Sequence, residues 1–318
     1  MNQSKKITDG ALLTAVYLVI LLVAIFIPLL GAFALLFLAI PFIMYTEKHG
    51  TKSGLMMLIV AALLSMIFAT IVSVPVTLLF GIGGITIGAA LHKQVKPYEV
   101  WARGAVGFIV GILIVLLLGQ FVLGVNVYEQ FDAATEESMD MVQSMVKQIG
   151  LSGEEMDLLI EETENQVQNF RDLLPSSIAI LGIVFAFFSQ WLAYKVINRL
   201  ERKSYYFPPF NKFNLPVSII WLYLIALLVS LFTNAEDSST YIVAFNVITL
   251  LSALLIIQGF SFLFFYADLK KWPKAIPFII LGLSVLFPLI LMFIMRFIGI
   301  LDIGLGLKKR MVHDNKSE

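Results

Sequence analysis

Gly104-Ala-Val-Gly-Phe-Ile-Val-Gly-Ile-Leu-Ile-Val-Leu-Leu-Leu-Gly-Gln-Phe-Val-Leu123 holds no charged residue and a single amide side chain, Gln120. As a helix rising 1.5 Å per residue, a stretch of this length covers about 30 Å, the thickness of a bilayer's hydrocarbon core. Its apolar residues are continuous and do not alternate, which excludes a barrel strand. In lipid, every backbone amide needs a partner within its own segment, so a helix is the form that remains. Comparable runs occupy residues 11–46, 54–91, 176–197, 217–232, 241–266 and 275–307. Of 318 residues, 59% are hydrophobic and 14% charged, against about 45–50% and about 25% in an ordinary soluble domain. The reading is an all-α, polytopic membrane helix bundle of nine or ten transmembrane helices, whose first partner is the lipid bilayer.

Residues 11–46 are too long for one span and hold Pro28 and Gly31, so they read as two helices. Residues 54–91 read the same way, with the break at Pro75, and the fifth helix covers 103–123. Lysine and arginine favour cytoplasmic loops. Placing Lys48, Lys52, Lys93, Lys96 and Arg103 there puts the N-terminus in the cytoplasm of a cell-membrane protein. Lys5 and Lys6 precede an apolar run far too long for the core of a signal peptide, so the first helix is expected to be retained. Helix six returns to Lys195, Arg199, Arg202 and Lys203, and the aromatic, proline-broken loop 205–216 is expected at the interface. Helix seven exits to Glu236-Asp237, and helix eight returns to Asp268, Lys270, Lys271 and Lys274.

The run 275–307 admits two readings. A single span strands Lys308, Lys309 and Arg310 outside, whereas a hairpin at Pro288 keeps them inside but carries Arg296 into the membrane, at about 2.5–3.5 kcal/mol. Nine and ten helices both stand at this point.

Residues 124–175 change character: twelve acidic side chains face only Lys147 and Arg171. Apolar residues recur at helical spacing, Phe131, Met139, Val142, Met145, Val146 and Ile149, then Met156, Leu159, Ile160, Val167, Phe170 and Leu174. Ser152 and Glu155 have the spacing of a capping box after Gly150. An external amphipathic helical hairpin follows, and the chain divides into 1–123, 124–175 and 176–318.

Small residues repeat at helical spacing in two places. Ala11 and Ala15 share one face of the first helix, and Gly107 and Gly111, with Gly104 a turn earlier, share one face of the fifth; such faces let another helix approach closely. Partner docking and ordinary internal packing are both open for each pair. The glycine-rich stretch 81–90 must be tightly packed or locally irregular, and it lacks the Lys-Ser/Thr ending of a phosphate-binding loop. Gln120, Gln190, Asn246 and Gln258 read as interhelical hydrogen-bonding groups. His49, His92 and His313 fall in loops or the tail and read as solvated. Without cysteine, thiolate and cysteine-zinc chemistry is excluded. No catalytic spacing is present, so no enzyme, cofactor, resident metal or nucleic-acid partner is expected.

The segment Lys5-Lys6-Ile7-Thr8-Asp9-Gly10-Ala11-Leu12-Leu13-Thr14-Ala15, the early short helices and the glycine-rich helix resemble the substrate-binding S components of energy-coupling factor transporters, over about residues 5–200. That resemblance implies that Ala11 and Ala15 dock onto a membrane protein partner, the energising subunit. It also implies that a small-molecule solute binds from the outer side near Gln120, Asn126 and Tyr128. Over its whole length, including Gly299-Ile300-Leu301-Asp302 and Lys308-Lys309-Arg310, the chain resembles the YybS-type family of bacterial multi-pass membrane proteins. The acidic hairpin and the helices after residue 200 depart from S components. Two functions are therefore expected to compete: a transport-associated protein, and a scaffold or regulator whose hairpin binds an envelope partner.

Overall fold

The computed structural model describes residues 3–122, 124–149, 163, 170–233 and 239–317, without the side chains of 28, 29, 127, 128, 146–149 and 313–317. The described residues are mostly helical and fall into two compact units, one of 1–171 with 178–206 and one of 172–177 with 207–318.

The first unit begins with α1 (Gln3–Phe26), α2 (Pro28–Leu35) and α3 (Ile40–His49). Pro28 takes the first position of α2, where a missing N–H costs nothing. α4 (Thr51–Ala69) and α5 (Ser73–His92) follow. The break between them is at Thr70, whose φ is 83°, and not at the expected Pro75. Pro75 instead lies in the first turn of α5, a position that tolerates proline because no helical carbonyl awaits its N–H. α6 (Pro97–Val122), α7 (Val127–Ile149) and most of α8 (Leu174–Glu201) complete the unit.

α5 is regular, and its glycines are spent on close contact. A Cβ on Gly84 would come within 2.7 Å of the Ala39 carbonyl oxygen, and one on Gly88 within 2.7 Å of that of Ile43. Tyr17 and Phe42 are fully buried with their rings edge-to-face at 4.8 Å, and the Tyr17 hydroxyl donates to Thr77 Oγ1 at 2.8 Å. α7 covers the residues expected to form the first arm of the hairpin, and Arg171 Nη1 lies 3.5 Å from its Asp132. The turn and most of the second arm fall outside the described residues.

The second unit contains α9 (Ser218–Phe232), α10 (Ser239–Leu269), α11 (Ala275–Leu286), α12 (Pro288–Leu305) and α13 (Leu307–Ser317). Ser252 meets Arg296, Leu255 meets Gly299, and Gln258 meets Asp302. Early residues therefore face early and late face late, which makes α10 and α12 parallel, with α11 as the return stroke and the turn at Phe287–Pro288. The hairpin reading of 275–307 is the one the fold adopts, and it brings the tail after Leu305 to the same end of this unit as Lys270, Lys271 and Lys274. Arg296 Nη1 reaches Ser252 Oγ at 3.4 Å, and its guanidinium lies 5.1 Å from the Phe293 ring.

Eight helical segments of the described residues are long and apolar enough to cross a membrane, and α9 and α11 are shorter apolar helices. Large apolar side chains face outward, Leu289 at 90% and Phe232 at 86% exposure. Such surface is untenable in water on this scale and ordinary against lipid.

Candidate functional site

The first unit combines an open small-residue face with an ionic anchor beside it. Ala11 and Ala15 are exposed on α1 and line a groove of about 400 Å³, with Gly10 and Thr14 on their own helix and Met56 and Val60 of α4 opposite. Tyr45 of α3 also lines it, and its hydroxyl donates to the Lys6 carbonyl at 3.2 Å. One turn along, Asp9 Oδ2 receives Lys48 Nζ at 2.7 Å and lies 2.9 Å from His49 Nε2. These bonds fix the start of α1 against the end of α3 and leave the alanine face unobstructed.

The anchor continues inward. Glu47, 7% exposed, accepts from Lys203 Nζ through both oxygens at 2.7 Å and from the Tyr205 hydroxyl at 2.8 Å. Burial, followed by that bond to Glu47, pushes the Tyr205 hydroxyl up to about 12. His92 Nδ1 lies 2.7 Å from the Glu47 carbonyl oxygen. Tyr205 stacks on Tyr194 at 5.4 Å, and Phe213 is buried. The aromatics of 205–216 are thus partly interior and not simply interfacial.

One histidine reading is corrected. The His49 side chain is 1% exposed, because α3 continues through this position to its last turn, whereas His92, in the last turn of α5, is exposed. Gly50, at φ 82°, ends α3 as a helix-terminating glycine does. That glycine after Glu47-Lys48-His49 was the signal available in the sequence.

Gly107 and Gly111 are spent internally and do not form a docking face. A Cβ on Gly107 would overlap Thr86 and one on Gly111 would come within 3.1 Å of Leu79 backbone, so α5 occupies the face of α6 that they form. Gln120 is exposed, Asn126 Nδ2 donates to Glu129 at 3.1 Å, and the Tyr128 side chain is outside the described residues. Gln190, Asn246 and Gln258 do make the expected hydrogen bonds: Gln190 to the Pro97 carbonyl, Asn246 to the Asp172 carbonyl and Ser176 N–H, Gln258 to Asp302. Among the described residues, no group of three or more His, Cys, Asp or Glu is placed to hold a metal ion.

A helical chain of this length and apolarity, with lipid-facing side chains and a few satisfied polar bridges, defines a polytopic integral membrane protein. Residues 15–303 match the family described as "Predicted membrane protein (DUF2232)", and the chain belongs to that family. It is 28% identical over 311 residues to "Uncharacterized protein YybS" of Bacillus subtilis (strain 168), an alignment covering 98% of this chain and 100% of the relative. The resemblance to the YybS-type family is therefore borne out. No solved structure matches.

Proposed function

We propose that the protein is a transport-associated membrane subunit that docks onto another membrane protein through the Ala11–Ala15 face of α1. The observation that carries this reading is the exposure of both alanines along a groove whose other wall is apolar, beside an anchor that holds α1 in place. Small residues at a one-turn interval let a second helix come close enough for dispersion contacts and Cα–H hydrogen bonds to accumulate. The likeness of residues 5–15 to S components supports the same use of the face. A cytoplasmic N-terminus and binding of a small solute are parts of this proposal.

The test is isolation of the tagged full chain from native membranes in mild detergent. A membrane protein that co-purifies with wild type and is lost with Ala11→Leu plus Ala15→Leu supports docking. Equal recovery with both chains sinks it. A paired Val16→Leu and Val19→Leu variant, altered on neighbouring exposed positions, should retain the partner.

A further inference from the structure

The second unit contains a cavity of about 770 Å³ at the end where α10 and α12 finish. Its walls are of two kinds. Val217, Phe265, Leu269 and Ile303 are apolar, whereas Lys212, Lys308, Lys309, Asp268 and Asp302 are charged. The two carboxylates are already engaged. Asp302, 2% exposed, accepts from Gln258 and from the Lys308 N–H, with Lys308 Nζ 3.4 Å away. Asp268 accepts from Asn211. Lys308 is likewise committed, donating to the Phe213 carbonyl and Ser261 Oγ at 2.7 Å. Lys212 and Lys309 are exposed, and neither has an ion-pair partner among the described residues.

The position supplies the second half of the argument. α10 ends at Leu269 and is followed by Lys270, Lys271, Trp272 and Lys274, with Tyr266 and Trp272 edge-to-face at 5.3 Å. Aromatic rings beside lysines at the end of an apolar helix mark the boundary between hydrocarbon and water. A cavity at that depth meets lipid on one side and solvent on the other. Basic pockets between membrane helices at this level suit phosphate headgroups. Asn211 adds a buried Oδ1 without a hydrogen-bond partner, an acceptor that a ligand hydroxyl can satisfy.

We propose that this cavity binds a phosphate-bearing amphiphile, with Lys212 and Lys309 on the phosphate and Val217, Phe265 and Leu269 against the apolar portion. The phosphate can belong to a membrane lipid or to a free amphiphilic phosphate. This site is separate from the α1 face and does not depend on docking there.

The test uses the full chain in the phosphate-free detergent dodecyl maltoside, titrated with n-octyl phosphate and with inorganic phosphate, alongside native mass spectrometry in the presence of phosphatidylglycerol. Octyl phosphate is expected to bind, and inorganic phosphate to bind at least about tenfold more weakly. Lys212→Gln plus Lys309→Gln should lower octyl phosphate affinity at least about tenfold, the loss of about 1.4 kcal/mol. Lys270→Gln plus Lys274→Gln, which removes the same charge from the same end outside the cavity, should leave it within about twofold. Phosphatidylglycerol retained through delipidation and displaced by octyl phosphate identifies a lipid as the source. Octyl phosphate binding with no retained phosphatidylglycerol identifies a free amphiphile. Equal losses from the two lysine pairs, equal affinity for inorganic and octyl phosphate, or no binding of octyl phosphate each overturns the proposal.

Discussion

Gln258 Nε2 donates a 2.6 Å hydrogen bond to Asp302 Oδ2 between α10 and α12, with Gln258 fully buried and Asp302 2% exposed. The same glutamine accepts from the Leu215 N–H at 3.0 Å. One side chain thus satisfies a loop N–H ahead of α9 and a buried carboxylate together. Gln258→Leu strands the Leu215 N–H and takes a donor from Asp302, and an unsatisfied buried group costs about 1–3 kcal/mol. Thermal unfolding in detergent should show the loss, with Gln258→Glu also destabilised because it sets two carboxylates together. An unchanged midpoint in both variants would remove this bridge from the account of the fold.

The α10–α12 crossing depends on two glycines. A Cβ on Gly259 would overlap the Met295 carbonyl, and one on Gly299 the Leu255 carbonyl. Backbone cannot step aside as a flexible side chain can. Gly259→Val or Gly299→Val should cost about 3 kcal/mol or more, read as poor recovery of monodisperse protein. Gly282→Ala on α11, where nothing lies within 4 Å, is the matched control and should be recovered like wild type.

Thr70 is held at φ 83° and ψ 163° between α4 and α5. A β-branched residue there carries strain of about 1–3 kcal/mol, and glycine adopts the same backbone freely. Set against glycine's entropy cost of about 0.5–1 kcal/mol, Thr70→Gly should be stabilising by about 1 kcal/mol. A lower unfolding midpoint than wild type would refute this.

Lys203 gives a pH dependence. Burial alone would lower its pKa, but its hydrogen bonds to Glu201 and Glu47 outweigh that and raise it above 10.5. A lysine raised on folding stabilises fully below its unfolded value, and the contribution disappears as pH climbs through the folded value. The unfolding midpoints of wild type and Lys203→Gln should therefore differ by a constant amount below about pH 10 and converge above pH 10.5. A gap that widens in alkali would reverse the sign of this linkage.

The spans were legible because lipid leaves helix as the one solution for a long uncharged run, and Pro288 marked the final hairpin. Gln190, Asn246 and Gln258 were legible for a related reason: an amide in an apolar helix needs a partner. The Glu47–Lys203–Tyr205 anchor was not. Glu47 lies more than 150 positions from Lys203 and Tyr205 in sequence, and no local spacing announces a tertiary ion pair. Asp9 and His49 were hidden likewise, since a helix end and a loop have similar composition. Gly107 and Gly111 looked identical to Ala11 and Ala15 in pattern. Only the fold tells that Thr86 and Leu79 occupy the first pair's face while the second pair's face stays open.

The parallel pairing of α10 with α12 imposes an order on biosynthesis. Gln258 leaves the ribosome 44 residues ahead of Asp302, so its amide enters the bilayer before the carboxylate that will accept from it exists. Throughout that interval the nascent helix needs a stand-in, from water, lipid headgroups or the insertion machinery. Slowed translation between these two positions should prolong the exposure of a half-made bundle to membrane quality control.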